Sequence, residues 1–289
     1  MRIEHGKKLI HVDESADGIT AHFADGDSVS AQVLVGADGV HSTVRRLIDP
    51  EAPGARYLGL LGFEGLVDDG PDTAPIEPGT MSFAFGRRAY YLYWKRPDGR
   101  IGWGANLPSP QHFSLKEARA VPAKDWLHTL RNAYADDVPG GRLAAETTSD
   151  TLQAVGALHI MPPMPHWHRH HMVLVGDAVH APSNSTGQGA SLAMESALQL
   201  ARCLRDLPDV TSAFDTYERM RRPRVEKIAA RGARIGRAKA PGPIAQRMMR
   251  VLLPVMFKTM NIEKTIAAEQ RYTIEWAAPV DRDVAQART

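Results

Sequence analysis

The sequence predicts an α/β framework that carries an antiparallel sheet and ends in helices, and three observations support this. Two short apolar runs, Val33-Leu34-Val35 and Met172-Val173-Leu174-Val175, each lead into a loop containing Gly and Asp and then into a helical pattern. Between them, from about residue 56 to residue 107, the pattern is strand-like and broken by turn residues. Beyond residue 207 it is mostly helical. The expected organisation is therefore residues 1–50 in a first α/β part, 51–155 in an antiparallel-sheet domain, 156–206 back in the α/β domain, and 207–289 in a helical region.

Taken in order, Ile19, Ala21 and Phe23 alternate with polar residues and Asp25-Gly26 makes a turn, which reads as a small meander leading into the buried run at 33–35. That run stops at Gly36-Ala37-Asp38-Gly39, and Ser42 is placed to cap a helix starting near Thr43. Residues 81–85, 90–94 and 101–105 are strands, punctuated by Gly86-Arg87 and Pro97-Asp98-Gly99. Their aromatics Tyr91, Tyr93, Trp94 and Trp103 read as core and sheet-face residues more readily than as ligand contacts. A helix is expected over 123–134, a long one over 188–204, another over 213–237 interrupted at Pro223, and a last one over 244–270 with a break near Pro254.

Composition excludes several classes. Lys and Arg number 35 against 33 Asp and Glu, so no basic field points to nucleic acid. The single cysteine, Cys203, rules out an intrachain disulfide framework and a structural thiolate metal site, and fits a reducing, cytoplasmic setting. Residues 1–8 lack the apolar core of a signal peptide and 251–257 is too short to span a bilayer, so neither secretion nor membrane insertion is expected.

Chemistry concentrates in Val175-Gly176-Asp177-Ala178-Val179-His180-Ala181-Pro182-Ser183-Asn184-Ser185-Thr186-Gly187-Gln188-Gly189-Ala190. A carboxylate at the end of a buried strand, facing a helix N-terminus across a glycine-containing loop, suits a polyhydroxylated or anionic ligand. Asp177 can accept from sugar-like hydroxyls, while Gly187 and Gly189 let a ligand approach the backbone. An equally open reading is that Asp177 caps a turn and the glycines serve a tight connection.

This run resembles the flavin-binding motif of the class A FAD-dependent monooxygenases related to para-hydroxybenzoate hydroxylase. A second run, Val35-Gly36-Ala37-Asp38-Gly39-Val40-His41-Ser42-Thr43-Val44-Arg45, resembles the family's Asp-Gly motif and precedes the first in the family's order. A third segment, Phe214-Asp215-Thr216-Tyr217-Glu218-Arg219 running to Arg222-Pro223-Arg224-Val225, resembles the helix that follows the flavin motif.

The resemblance implies a partial Rossmann-like FAD-binding domain, a sheet domain that reads the substrate, and FAD as cofactor with NAD(P)H as co-substrate. It implies that Asp177 holds a ribityl hydroxyl, that Gly187, Gln188, Gly189 and Ala190 face the pyrimidine edge of the flavin, and that Asp38, Gly39 and Arg45 lie near the pyrophosphate and ribose. The implied reaction is hydroxylation, through a C4a-hydroperoxyflavin, of an aromatic or similar small molecule. It assigns no catalytic side chain, no metal and no oligomeric state. The contrasting expectation is an inactive homologue or interaction module.

The chain departs from the family in two places. No Gly-x-Gly-x-x-Gly run occurs, and the expectation is that Met1 is an internal or misassigned start, or that the gene is truncated, with a strand missing from the middle of the parallel sheet. Asn184 stands where many relatives carry a second proline, which loosens the loop.

Other constellations carry less. His159, His166, His168, His170 and His171 cluster in sequence without a carboxylate or cysteine at ligand spacing, so no metal site is expected. A hydrolytic triad of Ser42, His180 and Asp177 lacks the Gly-x-Ser-x-Gly elbow. The helix bearing Arg219, Arg221, Arg222, Arg224, Lys227, Arg231 and Arg234 reads as a solvated outer helix, because Glu218 and Glu226 are interspersed.

Overall fold

Alternating apolar residues pair the first strands into a meander: β1 (Leu9–Glu14), β2 (Ile19–Phe23) and β3 (Ser28–Ala31) form an antiparallel sheet in that order. Gly26, at φ +93°, makes the turn between β2 and β3. The structure, a computed structural model, describes residues 2–68, 76–77, 79–238, 267 and 269–280. One compact unit draws on the segment up to Arg56, on Ile160–Ala233 and on the described C-terminal residues; a second is built on Tyr57–His159.

In the first unit β4 (Leu34–Gly36) leads to α1 (Thr43–Ile48). The Ser42 side chain caps α1 by accepting from the Arg45 amide at 2.9 Å, as the sequence predicts. Gly36 is required by packing: a Cβ there would lie 2.7 Å from the Val44 Cβ and 2.9 Å from a Leu174 methyl.

The second unit begins with β5 (Arg56–Val67), followed by β6 (Met81–Phe85), β7 (Tyr90–Lys95) and β8 (Ile101–Pro108). Helices α2 (Leu115–Ala120), α3 (Ala123–Tyr134) and α4 (Gly140–Glu146) precede β9 (Gln153–Ile160). The sheet order is β6-β7-β8-β5-β9. Trp126, Leu130 and Tyr134 recur at helical spacing along α3 and bury one face, with Leu143 of α4, against Phe63, Tyr91 and Trp103. Tyr91 and Trp103 are core residues, while Tyr93 and Trp94 are half-buried. The sequence reading omitted α2, α4 and β9. The two helices are a turn or two long, too short for a periodic signal to stand out.

The chain returns to the first unit with β10 (His168–Arg169) and β11 (Met172–Leu174), then α5 (Gly189–Asp206) and α6 (Val210–Ala238). The strand β11 pairs antiparallel with β10 and parallel with β4, in the register Leu34↔Met172, Val35↔Val173, Gly36↔Leu174. These two strands are direct neighbours, so no strand belongs between them, and among the described residues β4 forms the sheet's edge. Val44, Val173, Leu174, Leu192, Phe214 and Tyr217 share the core of this unit.

Two expectations about the helices are corrected. Helix α6 runs through Pro223 without interruption, its packing outweighing the lost backbone hydrogen bond. Nor is it a solvated outer helix throughout: Arg221 is fully buried, and Arg222 and Arg224 are half-buried against carboxylates. Charge spacing within one helix cannot reveal that a neighbouring helix supplies the counter-charge. The helix expected over 244–270 lies outside the described residues except at 267, 269 and 270, which are helical.

Candidate functional site

Because β4 and β11 are parallel, the loops that follow them leave the sheet at the same edge. In open α/β sheets that carboxyl edge is where ligands bind. The loop after β4 carries Asp38 and Gly39, and the loop after β11 carries Asp177 and runs to the start of α5.

Asp38 is exposed but bound to the start of α1. Its carboxylate accepts from the Ser42 hydroxyl and from the amides of Thr43 at 2.7 Å and Val44 at 3.2 Å, so its charge sits at the N-terminus of α1. Gly39, at φ +75°, adopts the left-handed backbone that makes this possible. Arg45 is buried; Nη1 donates to the Ala178 carbonyl at 2.7 Å and Nη2 to the Val40 carbonyl at 2.8 Å. Burial lowers its pKa, against the pull of Asp38. Asp38 and Arg45 thus shape and join the two loops.

On the second loop Gly176, at φ +58°, opens a 3-10 turn spanning Gly176–Ala178, and Asp177 projects from it in an exposed position. Partial desolvation nevertheless holds its carboxyl above the ordinary range. A second 3-10 turn, Asn184–Thr186, and Gly187 at φ +63° then deliver the chain to α5, whose start no side chain caps. Nothing lies within 4 Å of where a Gly187 Cβ would be, and Gly189 is approached only by Pro182 at 4.0 Å. An uncapped N-terminus on an 18-residue helix, fronted by glycines and Ala190, offers backbone N–H groups and a positive dipole end to an anionic ligand edge.

Like Asp38 and Arg45, Gln188 was expected to touch a ligand but spends its side chain on the protein itself. Its side chain is buried and donates from Nε2 to Glu269 at 3.0 Å; the same Glu269 oxygen pairs with Arg231 at 2.6 Å. These partners lie 81 residues apart in sequence, and no local signal marks them.

The hydrolytic triad is not assembled. Ser42 is bound to Asp38, and His180 instead pairs through Nε2 with Ser196 at 2.9 Å, deep under α5. Burial pushes His180 down to about 4. Of the clustered histidines, His168 approaches Asp215 at 3.2 Å and Glu218 at 3.5 Å, so carboxylates that are distant in sequence do come close. Among the described residues no group of three His, Cys, Asp or Glu is arranged to hold a metal, and no helix is long and apolar enough to cross a membrane. A further cluster went unforeseen: Glu195 binds Arg221 at 2.8 Å and Arg224 at 2.8 and 2.9 Å, and Arg221 also donates to Ser196 at 3.2 Å.

Comparison with known proteins finds relatives among flavin-dependent enzymes. Residues 142–232 match the model of an FAD binding domain. The chain is 30% identical over 227 residues to an FAD-dependent urate hydroxylase of Klebsiella pneumoniae subsp. pneumoniae, covering 78% of this chain and 57% of the relative. It is 28% identical over 238 residues to a 6-hydroxynicotinate 3-monooxygenase of Bordetella bronchiseptica, covering 78% and 58%. The crystal structure of Klebsiella pneumoniae HpxO complexed with FAD and uric acid superimposes with a TM-score of 0.78 at 25% identity, over 91% of this chain and 65% of that one. The chain thus spans well under two thirds of the length of the curated relatives it matches.

Proposed function

From a chain that belongs to the class A FAD-dependent monooxygenases related to para-hydroxybenzoate hydroxylase, we propose part of a hydroxylase that holds FAD at the shared edge of β4 and β11. It acts with NAD(P)H and O2 on a small aromatic or heteroaromatic substrate.

The parallel pairing of β4 with β11 carries this reading, because it brings the Asp38 and Asp177 loops, far apart in sequence, to one edge. The residues there fit the cofactor. Asp177 stands exposed as an acceptor for a ribityl hydroxyl, and its raised pKa reflects a carboxylate short of solvation that such a hydroxyl would supply. The Gly187 N–H donates to the Asn184 carbonyl and the Gln188 N–H to Thr186 Oγ1, so Gly189 and Ala190, in the first turn of α5, are the backbone donors that, with the helix's positive dipole end, would meet the pyrimidine edge where a reduced flavin carries negative charge. Gln188 positions this turn rather than contacting the ligand, its N–H donating to Thr186 Oγ1, its carbonyl accepting from the Leu192 amide and its side chain donating to Glu269. Asp38, Gly39 and Arg45 set the shape of the first loop and its junction with the second, near the proposed pyrophosphate and ribose. FAD bound there would supply the transfer of electrons from NAD(P)H to O2. The protein's part is to position the ring, stabilise its charge and exclude water. An aromatic substrate is favoured by the relatives, which act on urate and on 6-hydroxynicotinate.

The test is a titration of the full chain with FAD, reading flavin fluorescence and thermal stability together. Saturable binding that raises the melting temperature supports the reading, since a ligand that binds only the folded state must stabilise it. NAD(P)H oxidation is then assayed with candidate aromatic substrates. Absence of saturable binding overturns the reading for this chain and leaves the inactive-homologue alternative.

A further inference from the structure

Behind the start of α5 lies a group of ionised side chains that the flavin reading does not use. Gln188 immediately precedes the first turn of α5 and is 6% exposed. Its Nε2 donates to Glu269 Oε2 at 3.0 Å, and the same oxygen pairs with Arg231 Nη2 at 2.6 Å. The Glu269 carbonyl accepts from Arg224 Nη2 at 3.0 Å, and Arg224 shares Glu195, in the second turn of α5, with Arg221. Helix α6 also touches the loop directly. A Cβ on Gly232, the residue after Arg231, would lie 2.5 Å from Thr186 Cγ2 and 3.4 Å from Ser183 Cβ, so Arg231 is carried on a helix that fits closely against this turn.

The charges matter because they are close and poorly screened. One hydrogen bond and the length of the Gln188 side chain, together about 10 Å or less, separate the Glu269 carboxylate from the Gly189 amide. Glu269 is buried, so salt and water damp its field little. A carboxylate there holds Gln188 in place, but its negative charge opposes a second negative charge in front of the helix. Arg231 offsets it. Among the described residues of this group, Arg221, Arg224 and Arg231 meet Glu195 and Glu269, which leaves the positive end of α5 backed by an excess of positive charge.

We propose that Glu269 and Arg231 are positioning residues for the flavin: Glu269 fixes the Gln188 turn, and Arg231 cancels the Glu269 charge, so that the amides of Gly189 and Ala190 favour the reduced, negatively charged pyrimidine edge over the oxidised, neutral one. The inference rests on the flavin reading and deepens it, by assigning the preference between the two redox forms to a pair that touches neither.

The experiment measures Kd for oxidised FAD and, without oxygen, for dithionite-reduced FAD on the full chain, following quenching of tryptophan fluorescence, with a thermal melt of every variant. Glu269→Gln removes the negative charge and keeps an amide oxygen for Gln188 Nε2, so the ratio of the two Kd values should move toward reduced FAD by about threefold or more. Arg231→Gln leaves the Glu269 charge unopposed and should move the ratio as far the other way. Arg231→Lys keeps the charge and should hold the parent ratio. The Arg231 variants, at a side chain 21% exposed, read the same ratio should Glu269→Gln fail to fold. A merely structural role weakens both redox forms alike, so a ratio that stays put, or moves in one direction in both Gln variants, overturns this inference alone. A parent chain that binds neither form overturns the flavin reading, and this inference with it.

Discussion

The Arg45 guanidinium donates to the Ala178 carbonyl at 2.7 Å across 133 residues of sequence, and so ties the loop after β4 to the turn after β11. A buried, charged donor that satisfies two backbone carbonyls is costly to remove, because the carbonyls stay buried. Arg45→Met should lower stability by about 2–4 kcal/mol in urea unfolding, and should weaken FAD binding as the two loops separate. Unchanged stability would mean that water replaces the guanidinium and that the loops need no brace.

Asp177 makes the opposite prediction for the apo chain. Its folded pKa is raised, so the stability it contributes is fully present below its unfolded value of 3.8 and is lost as pH rises through the folded value. Asp177→Asn should therefore raise the melting temperature of the apo protein at neutral pH, while weakening FAD binding by roughly tenfold or more. Loss of affinity together with a lower melting temperature would assign Asp177 a structural role.

Glu195 lies between Arg221, which is fully buried, and Arg224. Burial acts to raise its pKa, but hydrogen bonding to Arg224 and the charges of both arginines outweigh this and hold it below the ordinary carboxylate range. Removing the charge strands Arg221 inside the protein, and Glu195→Gln should cost about 3–5 kcal/mol. The double variant Glu195→Gln with Arg221→Met should recover part of that loss. Strict additivity in the double-mutant cycle would show that the pair is not coupled.

His180 provides a pH signature. Its folded pKa, near 4, lies below the ordinary 6.5, so the unfolded chain takes up a proton that the folded chain refuses between these values. Stability should fall as pH drops from 6.5 to 4, by up to about 3 kcal/mol from this residue. Thermal melts across this range should show a shallower acid limb for His180→Gln than for the parent. Parallel limbs would assign the acid sensitivity to other groups.

Several elements were legible from local sequence because their signals are local. The apolar positions 126, 130 and 134 repeat at helical spacing and give α3 its ends at Ala123 and Tyr134. Ser42 stands three residues before the amide that it caps. The glycines after β11 mark a loop that must turn and lie open, and two of them, Gly176 and Gly187, do have positive φ. By contrast, the Pro223 signal misleads, because a proline's local cost says nothing about how much packing opposes it.

The sequence alone determined the longer helices and most of the strands, though not α2, α4 or β9, and where two glycine- and aspartate-bearing loops would fall, since backbone period, caps and turn residues act within a few positions. Only the tertiary structure decided what those residues do. It left both Asp38 and Asp177 exposed, but bound the Asp38 carboxylate to the start of α1. It gave Gln188 to Glu269, buried Arg221 against Glu195, and set Trp167 beside His180. Each of those outcomes depends on a partner tens of residues away, brought near by burying a shared core, and no window of sequence contains both members of the pair.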